Sequence, residues 1–86
     1  MKTASGFEFN VPKEALDDWE LLEDLVDLET NSAKMISVCR RILGIEGTAR
    51  LKNHCRDENG KVAVTRIESE IAEIFELLKD DSTAKN

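Results

Sequence analysis

The chain has 86 residues, 41% of them hydrophobic and 35% charged, with a formal net charge of −6 at pH 7. That is enough for one domain and too little for a second core, and it is too apolar for a disordered chain. The acidic excess argues against nucleic acid and anionic membranes as direct partners, and no apolar run suits a membrane span or a signal peptide.

Phe7-Glu8-Phe9-Asn10-Val11 alternates apolar and polar residues with period two, which predicts a short strand or extended arm with one apolar face. Pro12 ends that arm and suits the first turn of a helix. From Lys13 to Glu29, Leu16, Trp19, Leu22, Leu25 and Val26 recur at three- and four-residue steps, widened by Leu21 and Leu28, so one continuous amphipathic helix is expected. Its other face is acidic. Thr30-Asn31-Ser32 offers the oxygens that start a second helix, whose stripe is Met35, Ile36, Cys39, Ile42 and Leu43 and whose stop is Gly44. Gly47-Thr48 opens a short helix through Ala49, Leu51 and His54. Thr65 with Glu68 reads as a capping box for a last helix carrying Ile67, Ile71, Ile74, Phe75 and Leu78 inward. Trp19, Leu22, Ile42, Ile71 and Phe75 are the expected core. The fold expected is mainly α: a small bundle of about four helices with a short N-terminal extended arm or strand. Its organisation reads as arm (1–12), helical domain (13–79) and flexible tail (80–86).

The stretch Cys55-Arg56-Asp57-Glu58-Asn59-Gly60 invites comparison with a calcium-binding EF-hand loop. With Gly60 at position six, Asn59 and Asp57 fall on the fifth and third ligand positions. The first and twelfth are then Cys55 and Arg66, a soft thiol and a cation, which calcium does not accept. A turn between helices is the better reading, because Asn-Gly tolerates positive φ and Asp57 bonds to backbone two residues on.

No other constellation carries chemistry. His54 is the only histidine, Cys39 and Cys55 lack CxxC spacing and read as small buried hydrophobes, and no glycine-rich phosphate loop is present. No catalytic residue, metal ligand or cofactor is therefore expected, and the chain does not read as an enzyme.

Taken together, GFEFNVPKEALDDWELLEDLVDLE, the helix MISVCRRILG and the segment CRDENGKVAVTRIESEIAEIFELL resemble the small tail assembly chaperones of long-tailed bacteriophages of Gram-positive hosts. The resemblance covers the chain from about Gly6 to Leu78, with Cys55 standing where a larger aliphatic residue is expected. It implies a helical, non-enzymatic protein that binds the tape measure protein and helps recruit tail tube subunits. It also implies action in the host bacterial cytoplasm, absence from the mature virion, and a longer frameshifted product joined through the 80–86 tail.

A binder for a long amphipathic helix needs apolar stripes together with charge that keeps the complex dispersed. The candidate partner-binding residues are Phe7, Phe9 and Val11 on the arm and Trp19, Leu21 and Leu28 on the first helix. The arm is also expected to join neighbouring copies into a homo-oligomer, unless it covers its own helices. Two other readings stand beside this one. An acidic DNA-mimic inhibitor would need carboxylates in a long double track, and a helix-turn-helix regulator would rest on Arg50, Lys52 and Arg56 alone. A small helical adaptor of another kind shares the same surface logic.

Overall fold

Pro12 sets the first helical boundary, and two aspartates set the second. The structure is a computed structural model that describes the backbone of residues 1–84 and the side chains of residues 1–79. The described residues form four helices, α1 (Lys13–Leu16), α2 (Trp19–Asp27), α3 (Lys34–Cys55) and α4 (Val64–Ala84). The fold is mainly α, with no named strand among the described residues. The chain divides into two units, Met1–Phe9 with the chain from Leu51 onward, and Asn10–Arg50.

In the Asn10–Arg50 unit the helix expected over 13–29 is two helices. Asp17 leaves the helical region at φ −90 and ψ 67, and Asp18 is extended at φ −142 and ψ 112. The Asp18 carboxylate then accepts a hydrogen bond from the Glu20 amide at 2.9 Å, making it the N-cap of α2. Apolar spacing runs unbroken from Leu16 to Trp19, but a short acid that satisfies a helix's first amides competes with helix interior at the same position. Asn31 caps the next helix, its Oδ1 accepting from the Ala33 amide at 3.2 Å, as the Thr30-Asn31-Ser32 signal predicts.

Gly44 marks where α3 stops being one straight helix. Its φ of 76 and ψ of 176 are non-helical and fall where glycine alone sits without strain. The helical path bends so tightly that a Cβ at Gly47 would lie 2.9 Å from the Leu43 Cβ. The bend leaves a trace on Thr48, whose buried hydroxyl has no hydrogen-bond partner. A helical threonine can bond the carbonyl four residues earlier, which here belongs to Gly44, the residue that leaves the helical region. Gly44→Ala is expected to cost about 1–3 kcal/mol, read as a lowered denaturant midpoint at unchanged slope. An unchanged midpoint would mean that the bend is not required.

In the other unit the arm folds back on itself. Gly6, at φ 97, closes a turn in which its amide bonds the Thr3 carbonyl at 2.9 Å, and the Thr3 and Phe9 amides bond the Phe7 and Met1 carbonyls, both at 2.9 Å. Lys2 and Glu8 form an antiparallel bridge and an exposed ion pair at 3.9 Å, while Thr3, Phe7 and Phe9 turn inward. The turn between α3 and α4 closes as predicted. Gly60 is at φ 84, and the Asp57 Oδ1 accepts from the amides of Asn59 at 2.8 Å and Lys61 at 2.9 Å. The capping box does not form as read: α4 starts at Val64, with the Ala63 carbonyl accepting from Arg66 and Ile67, so Thr65 lies inside the helix. The helical backbone continues through Ala84, into the segment 80–86 expected to be a flexible tail; residues 85 and 86 of that segment lie outside the described residues. No helix among the described residues is long and apolar enough to cross a membrane.

Candidate functional site

The inward face of α2 carries Leu21, only 3% exposed, and Asp24, 6% exposed, with Leu25 and Leu28 half-buried. A buried carboxylate is costly unless fully partnered. Asp24 receives the Ser37 hydroxyl and the Arg41 Nε, the latter at 2.9 Å, with the Lys34 Nζ at 3.7 Å. Ser37 and Arg41 stand four residues apart on α3, so one helical face presents both donors to one acid. The same guanidinium reaches Asp18 at 3.4 Å and Glu20 at 3.6 Å. The Ser37 hydrogen bond, then Arg41 and Lys34, hold the Asp24 carboxyl below its usual range, against the opposing effect of burial.

Such an acid stabilises the fold at neutral pH, above its unfolded pKa of about 3.9, and that contribution vanishes as pH falls through the lowered folded value. Acid titration of the thermal melt is therefore expected to show a loss of stability below about pH 4 that is smaller in Asp24→Asn. Parallel acid profiles for the two proteins would show that Asp24 does not set this dependence.

With Leu21, Asp24 and Leu28 directed inward, the opposite side of α2 faces solvent. Trp19 is 72% exposed, and Leu22 and Val26 are each more than half exposed. They stand at the i, i+3 and i+7 positions of one helix and form a single apolar ridge. This corrects the predicted core, in which Trp19 and Leu22 pointed inward. The acid explains the difference in phase. α2 is apolar over two adjoining stripes, and the one buried is the one whose embedded acid finds cations on α3.

The other candidate partner residues divide in the same way. Phe7 and Phe9 are 3% and 4% exposed, and Leu21 is buried, so none of the three offers a surface to a partner. Val11 and Leu28 are half-buried, and Trp19 alone is open. The arm packs within its own unit, where its two phenylalanines are buried. Sequence reasoning placed Leu22 and Val26 in the right stripe but on the wrong side. The signal available was the Ser37/Arg41 pair at helical spacing, able to draw a matching acid inward.

Within the Met1–Phe9 and Leu51-onward unit, the densest polar cluster fastens the arm. The Thr3 hydroxyl donates to Glu70 Oε1 at 2.8 Å, the Ser5 hydroxyl donates to Glu70 Oε2 at 2.7 Å, and the Ala4 amide donates to Glu73. His54 Nε2 lies 2.9 Å from Ser5 Oγ, and its ring packs against Phe7 with centroids 5.5 Å apart. A hydroxyl has one proton to give, and Ser5 gives it to the carboxylate; the imidazole is then the donor to Ser5 and not a base poised to activate it. Cys55 is buried, and that burial, followed by the Glu70 carboxylate, pushes its thiol up and keeps it protonated. The cluster is built to hold the hairpin in place.

At the Asp57 turn one carboxylate oxygen, Oδ1, accepts from two backbone amides, and the Gly60 carbonyl accepts from Arg56 at 2.8 Å. Calorimetric titration with calcium is expected to show no stoichiometric micromolar site. One that disappears in Asp57→Ala would contradict that expectation. Comparison with known protein families, curated proteins and solved structures finds no match to this chain.

Proposed function

We propose that this protein is a non-enzymatic assembly chaperone that binds an amphipathic helical client through the outer face of α2. In the setting implied by its resemblance to phage tail assembly chaperones, the client is the tape measure protein. The complex would then present that client to tail tube subunits in the host bacterial cytoplasm and be left out of the finished virion. The observation that carries this reading is the exposed ridge of Trp19, Leu22 and Val26. Apolar side chains that stand together as one exposed helical ridge mark a place where another molecule packs. A straight helical ridge suits another helix, which offers a matching groove. The excess of negative charge would keep the complex dispersed while the client's apolar stripe is covered. The DNA-mimic reading draws less support, because Asp18, Glu20 and Asp24, on α2 and its cap, converge on one Arg41 guanidinium instead of standing apart in a track.

Co-expression with the tape measure protein, followed by affinity capture, tests the reading. The parent chain is expected to hold the client in the soluble fraction, and Trp19→Ser with Leu22→Ser is expected to release it into aggregates while leaving helix content unchanged. Both residues are exposed, so loss of capture would not reflect unfolding. Capture by the double variant equal to that of the parent would remove α2 as the client surface.

A further inference from the structure

Exposure shows that the α2 ridge is open, and charge says what covers it. Glu20, Glu23 and Asp27 follow one another at three- and four-residue steps, so they form a row alongside Trp19 and Val26. All three are exposed. Glu20 is shared with Arg41 at 3.6 Å, but among the described residues neither the Glu23 nor the Asp27 carboxylate pairs with a cation. On the other side of the ridge the surface continues into half-buried Leu25. The ridge is thus acidic along one border and apolar along the other, and from Trp19 to Val26 it spans about 10 Å, or two helical turns.

From this asymmetry we infer that the occupant of the α2 face is a cationic amphipathic helix. Its apolar stripe covers Trp19, Leu22 and Val26, and its lysines or arginines lie along one flank, opposite Glu23 and Asp27. An anionic or neutral helix of the same apolar face would cover the same ridge but leave two carboxylates facing like charge or nothing. The inference rests on the reading of α2 as a client surface and adds the chemistry of the client. Rim charges act mainly on choice of partner and on encounter, so the expected signature is selectivity that weakens with salt.

Trp19 is the only tryptophan in the chain and lies on the ridge itself, so its emission reports burial directly. The probes are two synthetic helical peptides with the same leucine stripe, one flanked by lysine and its isomer flanked by glutamate. At low salt the lysine peptide is expected to shift Trp19 emission to the blue with about tenfold tighter binding than the glutamate peptide, a margin that shrinks as salt rises. Glu23→Lys with Asp27→Lys is expected to reverse the preference. Equal affinity for the two peptides, an unchanged preference in the charge-reversed variant, or no emission shift with either peptide would overturn the inference. Client capture separates this result from the reading beneath it. If Trp19→Ser with Leu22→Ser abolishes capture of the tape measure protein but Glu23→Lys with Asp27→Lys leaves it unchanged, the chaperone reading stands and the cationic client is ruled out. If the lysine peptide binds with the expected selectivity while capture survives Trp19→Ser with Leu22→Ser, the inference holds and the tape measure reading fails.

Discussion

Phe7→Ala is expected to lower stability by about 3–5 kcal/mol, enough to leave the Met1–Phe9 and Leu51-onward unit largely unfolded at ambient temperature. The ring is 3% exposed, packs on His54, and sits in a hairpin that is held by Glu70 and Glu73. Truncation leaves a cavity beneath a segment too short to reorganise around it, so little of the lost burial is recovered. Circular dichroism should show α4 losing helix together with the arm, because helices in proteins owe most of their stability to tertiary packing of an amphipathic face. A variant that keeps the parent's melting temperature but sediments as a smaller species would instead mean that Phe7 joins copies of the chain, as the amphipathic pattern of the arm suggests when it is viewed without its partners.

Ile42→Ala is expected to cost about 2–5 kcal/mol, whereas Ile36→Ala, on the same helix, should change stability by no more than about 0.5 kcal/mol. The two substitutions remove the same atoms from α3, upstream of the Gly44 bend. Ile42 is buried in company with Val38, Cys39 and Met35, while Ile36 is more than half exposed. Propensity changes alike in both, so the difference isolates burial from helix formation. Similar melts for the two variants would mean that the inner face of α3 is not where the structure puts it.

The pattern of local chemistry in this sequence is legible, and its long-range choices are not. Asn31, Gly44 and the Asp57-to-Gly60 turn behave as their side chains and missing side chains dictate, since each acts within a few residues of itself. The break at Asp18 was also local, yet it was hidden by apolar spacing that continues across it from Leu16 to Trp19. Which of two stripes on α2 turns inward depends on Ser37 and Arg41, thirteen and seventeen residues beyond Asp24, and periodicity has no access to that pairing. The arm repeats the lesson at greater distance. Its period-two pattern shows that Phe7 and Phe9 need cover, but the carboxylates that fasten it belong to α4.

Those carboxylates impose an order on synthesis. Thr3 and its acceptor Glu70 are 67 residues apart. A ribosome adding about 5–20 residues per second makes the acceptor roughly 3–13 s after the donor. During that interval Phe7 and Phe9 have left the peptidyl-transfer centre, but α4, which supplies their latch, has not been made. Within that interval Phe7 and Phe9 lack the cover that the folded hairpin gives them. α4 ends that interval, and the hairpin acquires its latch only once Glu70 has been made.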